Sequence, residues 1–319
     1  MPKLMRLAIL DDYQGVTLAM GPWEKLPHIE TTVFRDTLHD QDALVARLAP
    51  FDAILAMRER TPFPAALLER LPNLKLLITT GERNRGIDAA ACAARGITFC
   101  GTPSFGAPTV DVTWGLIISL ARGIPAQQEA LRAGRWQTAV GMELQGRTLG
   151  LLGLGKLGQK VAKVGQAFGM KTIAWSQNLT AAAAEAHGVT RVEKAELFAG
   201  ADVLSVHLIL SDRSRGLVGA PELALMKPTA FVVNTSRGPI IDQAALIAAL
   251  TEGRIAGAGI DVFDIEPLPM DHPLLSAPNT VLTPHLGYVA QENYRSYFAG
   301  AVEAIQAYEA GSPIRIITG

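Results

Sequence analysis

Twice along this chain, short apolar runs alternate with stretches of helical period, and few folds accept that rhythm. In the first part the runs are Met5–Leu10, Ile29–Phe34, Asp52–Ala56, Leu74–Thr79 and Ile97–Phe99, with amphipathic stretches such as Asp42–Leu48 and Pro64–Leu71 between them. A second series starts at Thr148, with runs at Thr148–Leu152, Lys171–Trp175, Asp202–Val206, Ala230–Asn234, Ile255–Ile260 and Thr280–Thr283. Continuous apolar runs closed by Gly, Asp or Asn are the pattern of strands buried on both faces, as parallel strands joined by crossover helices are. The expected fold class is α/β, with two doubly wound parallel-sheet domains. Residues 101–109, GTPSFGAPT, read as a linker. An apolar helix is expected over Val110–Arg122, a more polar one over Ala126–Ala133, and a last one over Ala290–Glu309.

Composition narrows the functions. With 319 residues, 49% hydrophobic and 18% charged, the chain can fill two cores. A net charge of −1 speaks against nucleic-acid and membrane-surface partners and leaves a small molecule as the expected partner. The two cysteines, Cys92 and Cys100, form no pairing pattern and suit a reducing compartment. The segment Val112–Ala121 is far shorter than the ~20 residues that span a bilayer. No signal-peptide pattern follows Met1, so a cytoplasmic protein is expected.

Gly153, Gly155 and Gly158 form G-x-G-x-x-G in LLGLGKLGQKVAKVG. The motif carries weight here because an apolar strand precedes it and a helix with Leu157, Val161 and Val164 on one face follows. Such a loop turns tightly, lets the backbone approach a pyrophosphate, and aims a helix N-terminus at it. The expected cofactor is a nicotinamide dinucleotide. The next strand should end in an acid that holds the adenosine ribose. Instead it ends Ala174-Trp175-Ser176-Gln177-Asn178, with neither an acid nor an adjacent arginine. Without the acid a 2′-phosphate is not repelled, and without an arginine it is not attracted, so the expectation leans to NAD and leaves NADP open. No metal is expected.

Three charged residues follow three successive strands of the second series. Arg237 ends VVNTSR, Glu266 follows the strand that ends at Asp261, and His285 follows the last strand in TPHLGY. Ligands of parallel sheets bind outside the carboxyl ends of the strands, so all three can face a bound nicotinamide. Histidine is suited to give a proton to the alkoxide formed by hydride transfer to a ketone. A nearby glutamate would fix its tautomer and stabilise its positive charge. An arginine fork would hold a 2-keto acid's carboxylate and polarise its keto oxygen.

With those residues, the chain resembles the D-isomer-specific 2-hydroxyacid dehydrogenase family. The resemblance lies in GLLGLGKLG, ADVLSVHL, MKPTAFVVNTSRGPIID, AGAGIDVFDIEPLP and LTPHLGY, in family order. It implies a Rossmann dinucleotide-binding domain over 103–286 and a flavodoxin-like substrate domain over 1–102 plus 287–319, with a cleft between them. It also implies that Arg237 orients substrate, Glu266 pairs with the histidine and His285 is the acid/base. Cofactor contacts are implied for Gly153, Gly155, Lys156, Leu157, Gly158, Ser176, Gln177, His207, Thr235, Ser236, Asp261 and His285, with Asp261 near the nicotinamide carboxamide. Backbone amides at Thr80, Gly81 and Glu82 are implied to take the substrate carboxylate, and Arg58 stands where some members place a substrate-contacting arginine. The helix Val110–Arg122 and its follower are implied to form the arm of a homodimer. Two departures touch the site: His207-Leu208-Ile209-Leu210-Ser211 lacks the family's usual proline, and the loop at Gly81 is longer than usual. A co-repressor of the same fold, sensing the dinucleotide, is the rival reading. A formate dehydrogenase fits less well, because it pairs its histidine with glutamine where this chain has Glu266.

Overall fold

A computed structural model describes residues 5–104 and 108–318; residues 105–107 of the expected linker lie outside the described residues. The chain divides into two compact units, Met1–Phe105 with Ala290–Gly319, and Gly106–Val289.

The first unit holds β1 (Arg6–Ile9), β2 (Glu30–Val33), β3 (Ala53–Ala56), β4 (Leu76–Thr79) and β5 (Thr98–Gly101). The sheet order is β2-β1-β3-β4-β5, all parallel, which is the flavodoxin-like order. One face packs Leu44, Leu48, Phe63, Leu67 and Leu68 against strand residues Ala8, Ile54, Leu77 and Phe99. The long C-terminal helix Gln291–Glu309 belongs to this unit and buries Tyr294, Tyr297, Phe298, Val302 and Ile305.

The second unit holds β6 (Thr148–Leu152), β7 (Lys171–Trp175), β8 (Thr190–Arg191), β9 (Val203–Val206), β10 (Phe231–Asn234), β11 (Gly257–Ile260) and β12 (Thr280–Leu282). Its order is β12-β11-β10-β9-β6-β7-β8, all parallel: the Rossmann order with a seventh strand at one edge. Successive strand residues feed opposite cores. Val232, Leu204 and Leu152 pack with Leu197, Phe198, Leu246 and Leu250 on one face. Val233, Val203 and Leu151 pack with Val110, Trp114, Ile117 and Val161 on the other. Both faces are apolar, which is why these strands read as unbroken hydrophobic runs rather than as alternation.

Most elements fall where the sequence places them, with ends shifted by a residue or two. The helix expected from Val110 begins at Pro108, and its follower runs Ile124–Arg132. The stretch Pro64–Leu71 is helical only over Ala65–Leu68. β8 was not expected: two residues, one of them charged, carry no periodicity.

The edge where the strands begin is tied in the same way in both units. Asp52, just before β3, accepts from the amides of Met5 and Arg6 at the start of β1 (3.0 and 3.1 Å) and from Lys75 Nζ just before β4 (2.7 Å). Asp202, just before β9, accepts from the Thr148 amide of β6 (2.8 Å) and from Lys227 Nζ ahead of β10 (2.8 Å). Burial opposes ionisation of each carboxylate, but the lysine and the backbone donors outweigh it and hold both below the ordinary aspartate value.

A lowered folded-state value means that the clamp's contribution is complete above the ordinary pKa of 3.8 and is lost as pH falls through that value toward the folded one. Asp202→Asn should therefore destabilise by roughly 1–2 kcal/mol at pH 7, the scale of a charged hydrogen bond discounted for a partly exposed lysine. Urea unfolding at neutral pH and again near pH 3 checks this: the gap between wild type and variant should shrink in acid. An equal gap at both pH values would refute the assignment.

Candidate active site

The cofactor loop follows β6. Gly153 has φ +106°, and a Cβ there would lie 3.0 Å from the His207 carbonyl carbon. A Cβ at Gly158 would lie 2.3 Å from the Gly153 carbonyl oxygen, so helix and loop touch through glycine alone. At Gly155 a Cβ would meet nothing within 4 Å. The open side of the loop therefore lies at its middle glycine, next to the start of the helix Lys156–Ala167, which no side chain caps. Bare amides, a helix dipole and open space fit a pyrophosphate. Lys156 is exposed there and Leu157 is half-buried.

The neighbouring strand tips complete this edge. His207, after β9, bonds Ser205 Oγ through Nε2 at 2.9 Å. Burial pushes its pKa down to about 4, so it is neutral at physiological pH. Thr235 Oγ1 bonds Thr113 Oγ1 at 2.8 Å, and Ser236 Oγ donates to the Leu208 carbonyl. These hydroxyls join strand ends to each other and to the helix Pro108–Arg122.

Arg237, Glu266 and His285 follow β10, β11 and β12, which are adjacent in the sheet. His285 Nδ1 lies 2.7 Å from Glu266 Oε2. Glu266 is itself oriented, because its Oε1 accepts from the Phe263 amide at 2.8 Å. With the carboxylate on Nδ1, the opposite nitrogen Nε2 is the one placed for proton exchange. Tyr288 sets its ring edgewise to the imidazole, with centroids 5.5 Å apart. Arg237 is half-buried and donates through Nη1 to the Ser236 carbonyl at 2.7 Å. Its turn packs directly on the glutamate's loop, since a Cβ at Gly238 would fall 2.3 Å from the Phe263 carbonyl carbon.

Several residues that hold these groups were not singled out from sequence. Asn234, buried at the tip of β10, donates to the Arg237 carbonyl (2.9 Å) and accepts from the Ser236 amide (3.0 Å). Thr109 donates to the Gly287 carbonyl at 2.6 Å and so ties the His285 loop to the helix Pro108–Arg122. A polar residue ending an apolar strand, as Asn234 does, was the only available signal. The two threonines, Thr109 and Thr113, carry none.

The resemblance places Asp261 near the nicotinamide carboxamide; in the structure the residue is buried at the tip of β11. Its Oδ1 accepts from Thr283 Oγ1 and the Leu286 amide, each at 2.6 Å, and its Oδ2 accepts from the Gly287 amide at 2.9 Å. Burial raises its carboxyl above the ordinary aspartate value against the pull of these donors. Its task in the structure is to grip the loop in which His285 stands at φ +53°, a left-handed conformation that needs support.

In the first unit the structure brings the four substrate candidates together. Arg58 donates its amide to Thr80 Oγ1 (2.9 Å) and Nη1 to the Thr80 carbonyl (3.2 Å). Its guanidinium lies on Gly81, where a Cβ would come within 1.9 Å of Nη1. Glu82 is the exposed next residue. The amide of Thr80 donates to Ala56 and that of Gly81 to Thr102 Oγ1, which shifts the carboxylate-binding expectation away from those two amides.

At the end of β7 the sequence showed no arginine beside Ser176 and Gln177. The structure supplies one from β8: Arg191 Nε donates to the Leu179 carbonyl at 3.2 Å. Ser176 is half-buried and Gln177 exposed.

Comparison with known proteins agrees with this geometry. Residues 114–287 match the model of the D-isomer specific 2-hydroxyacid dehydrogenase NAD binding domain. A glyoxylate reductase of Aeropyrum pernix is 37% identical over 255 residues, 77% of this chain and 76% of the relative. A hydroxypyruvate reductase of Thermotoga maritima is 36% identical over 272 residues, 83% of this chain and 87% of its own. The crystal structure of a phosphoglycerate oxidoreductase from Vibrio cholerae superposes with a TM-score of 0.92 at 40% identity, covering 97% of this chain and all of the other.

Asp261→Asn tests the grip on the loop. An amide nitrogen would face a backbone donor, at a cost of about 2 kcal/mol, and turnover should fall roughly tenfold or more. Steady-state kinetics with the measured dissociation constant of NADH checks this. Wild-type turnover in the variant would remove Asp261 from the account.

Proposed function

The chain belongs to the D-isomer-specific 2-hydroxyacid dehydrogenases, NAD-dependent oxidoreductases of the CH–OH group that interconvert 2-keto and 2-hydroxy acids, and from that premise we propose that His285, Glu266 and Arg237 carry the reaction. The observation that carries the proposal is the 2.7 Å contact of His285 Nδ1 with a glutamate that is itself oriented by a backbone amide.

The chemistry a bound nicotinamide supplies is hydride transfer. Gly153, Gly155, Lys156, Leu157 and Gly158 would hold its pyrophosphate, and Ser176 and Gln177 its adenosine ribose. His285 Nε2 gives a proton to the keto oxygen in reduction and takes one from the hydroxyl in oxidation. Glu266 holds the ring with Nδ1 protonated and balances the imidazolium charge. Arg237 orients the carboxylate of the acid and polarises the keto oxygen. Arg58 and Glu82 remain the first unit's own candidates for a substrate contact. The relatives named for glyoxylate and hydroxypyruvate make small 2-keto acids the first to test.

The same reading includes a homodimer in a reducing, cytoplasmic setting. Both cysteines are free and buried, and burial pushes each thiol up to about 11, which keeps them unreactive. No described helix is long and apolar enough to cross a membrane. The self-association face is the segment after the helix Pro108–Arg122, where Ile124, Leu131, Trp136 and Val140 are all exposed. Such apolar exposure along one segment is the mark of an interface.

Two measurements test the proposal. With a panel of small 2-keto acids and NADH, His285→Ala should lose most turnover while still binding NADH. Glu266→Gln should lose about 1.5–3 kcal/mol of transition-state stabilisation, the scale of a hydrogen bond to a charged group, mostly in kcat. Arg237→Lys keeps the charge but loses the fork, and should cost about 1–3 kcal/mol in kcat/KM for the keto acid while sparing NADH binding. Equal losses of NADH affinity in all three would place these residues at the cofactor instead. Separately, sedimentation velocity should show a dimer that Trp136→Glu with Val140→Asp converts to monomer; a monomeric wild type would end the dimer reading.

A further inference from the structure

The turn after β7 is where the adenosine ribose of the cofactor is held in a Rossmann fold. Here the turn runs Ser176-Gln177-Asn178-Leu179, closed by the Leu179 amide on the Ser176 carbonyl at 3.0 Å. It has no carboxylate. The cation missing from its sequence arrives through pairing. β8 runs parallel to β7 with Ile173 opposite Thr190 and Ala174 opposite Arg191, so Arg191 reaches the turn from the adjacent strand. Its Nε donates to the Leu179 carbonyl at 3.2 Å, and its Nη1 bonds Glu193 Oε1 at 2.7 Å.

We propose that Arg191 determines cofactor specificity at this turn: it receives the 2′-phosphate of NADP(H), so that the enzyme uses NADPH as well as NADH. This rests on the reading that the second unit binds a dinucleotide. Discrimination between the two cofactors depends on two charges at the ribose. A carboxylate accepts from the 2′-hydroxyl and repels a 2′-phosphate, and a guanidinium attracts the phosphate with paired donors. The turn lacks the first and is flanked by the second. The two bonds of Arg191 have different characters. The Nε bond to a backbone carbonyl fixes where the guanidinium stands. The Nη1 bond to Glu193 is a surface ion pair, with side chains 33% and 66% exposed. Exposed pairs of this kind are weakly held and screened by salt. A doubly charged phosphate can displace Glu193 while the Nε anchor stays in place. Ser176, Gln177 and Asn178 add neutral donors that suit either a hydroxyl or a phosphate.

The test separates this proposal from the reading beneath it by using fragments that need no catalysis. Purified protein is titrated calorimetrically with 5′-ADP and with 2′,5′-ADP, and kcat/KM is measured with NADH and NADPH. The wild type should bind 2′,5′-ADP at least as tightly as 5′-ADP. Arg191→Ala should lower the ratio of 2′,5′-ADP to 5′-ADP affinity, and the NADPH-to-NADH ratio of kcat/KM, by about tenfold or more, the worth of a charged hydrogen bond to phosphate. Arg191→Lys, which keeps the charge, should fall between, and Glu193→Gln, which releases the guanidinium, should raise both ratios. Ratios in Arg191→Ala and Arg191→Lys within about twofold of wild type would overturn the proposal, since a residue that only props the turn moves both nucleotides together. A wild type that binds 5′-ADP but rejects 2′,5′-ADP would overturn it as well. Failure to bind either fragment would overturn the dinucleotide reading itself.

Discussion

Within each sheet every strand runs parallel to its neighbours, and that single constraint divides each unit into two edges with different work. At the edge where strands begin, one aspartate reaches three neighbouring strands: Asp52 for β1, β3 and β4, and Asp202 for β6, β9 and β10. The two clamps occupy equivalent places although the surrounding sequences differ. The opposite edge carries the strand tips, outside which ligands of parallel sheets bind. Rigidity at one edge lets the other carry loops of unusual conformation.

In the second unit those loops are knit to one another. Asn234 braces the Arg237 turn, Gly238 lets that turn lie on the Phe263 backbone, Glu266 accepts from the Phe263 amide, and Asp261 grips the loop of His285. The helix Pro108–Arg122 reaches two of them through Thr113 and Thr109. The charged groups thus stand on a continuous hydrogen-bonded base. This is how a histidine in a left-handed conformation can keep a 2.7 Å contact with a glutamate from another strand.

Much of this was legible in the sequence, for identifiable reasons. Unbroken apolar runs reported strands covered on both faces, and the glycine spacing reported the cofactor loop. Arg237, Glu266 and His285 stood out through their joint placement after three successive strands downstream of a dinucleotide loop. What stayed hidden depends on pairing between distant strands. β8 is too short to have a period, so Arg191 could not be seen beside Ser176. That the oxygens of Asp261 serve a loop more than twenty residues on could not be seen either. The amide of Gly81 looked available until Thr102, from the end of another strand, took it.

The exposed segment beyond the helix Pro108–Arg122 carries a built-in optical probe. Of the chain's 4 tryptophans, Trp114 is buried and stacked on Phe168, with ring centroids 5.0 Å apart, whereas Trp136 is 76% exposed. An indole in water emits to the red of one held in an apolar contact and is open to ionic quenchers. Trp136 should therefore dominate the iodide-quenchable fluorescence of the native protein. Any surface that settles on this segment writes its arrival directly into the emission spectrum, with no label added.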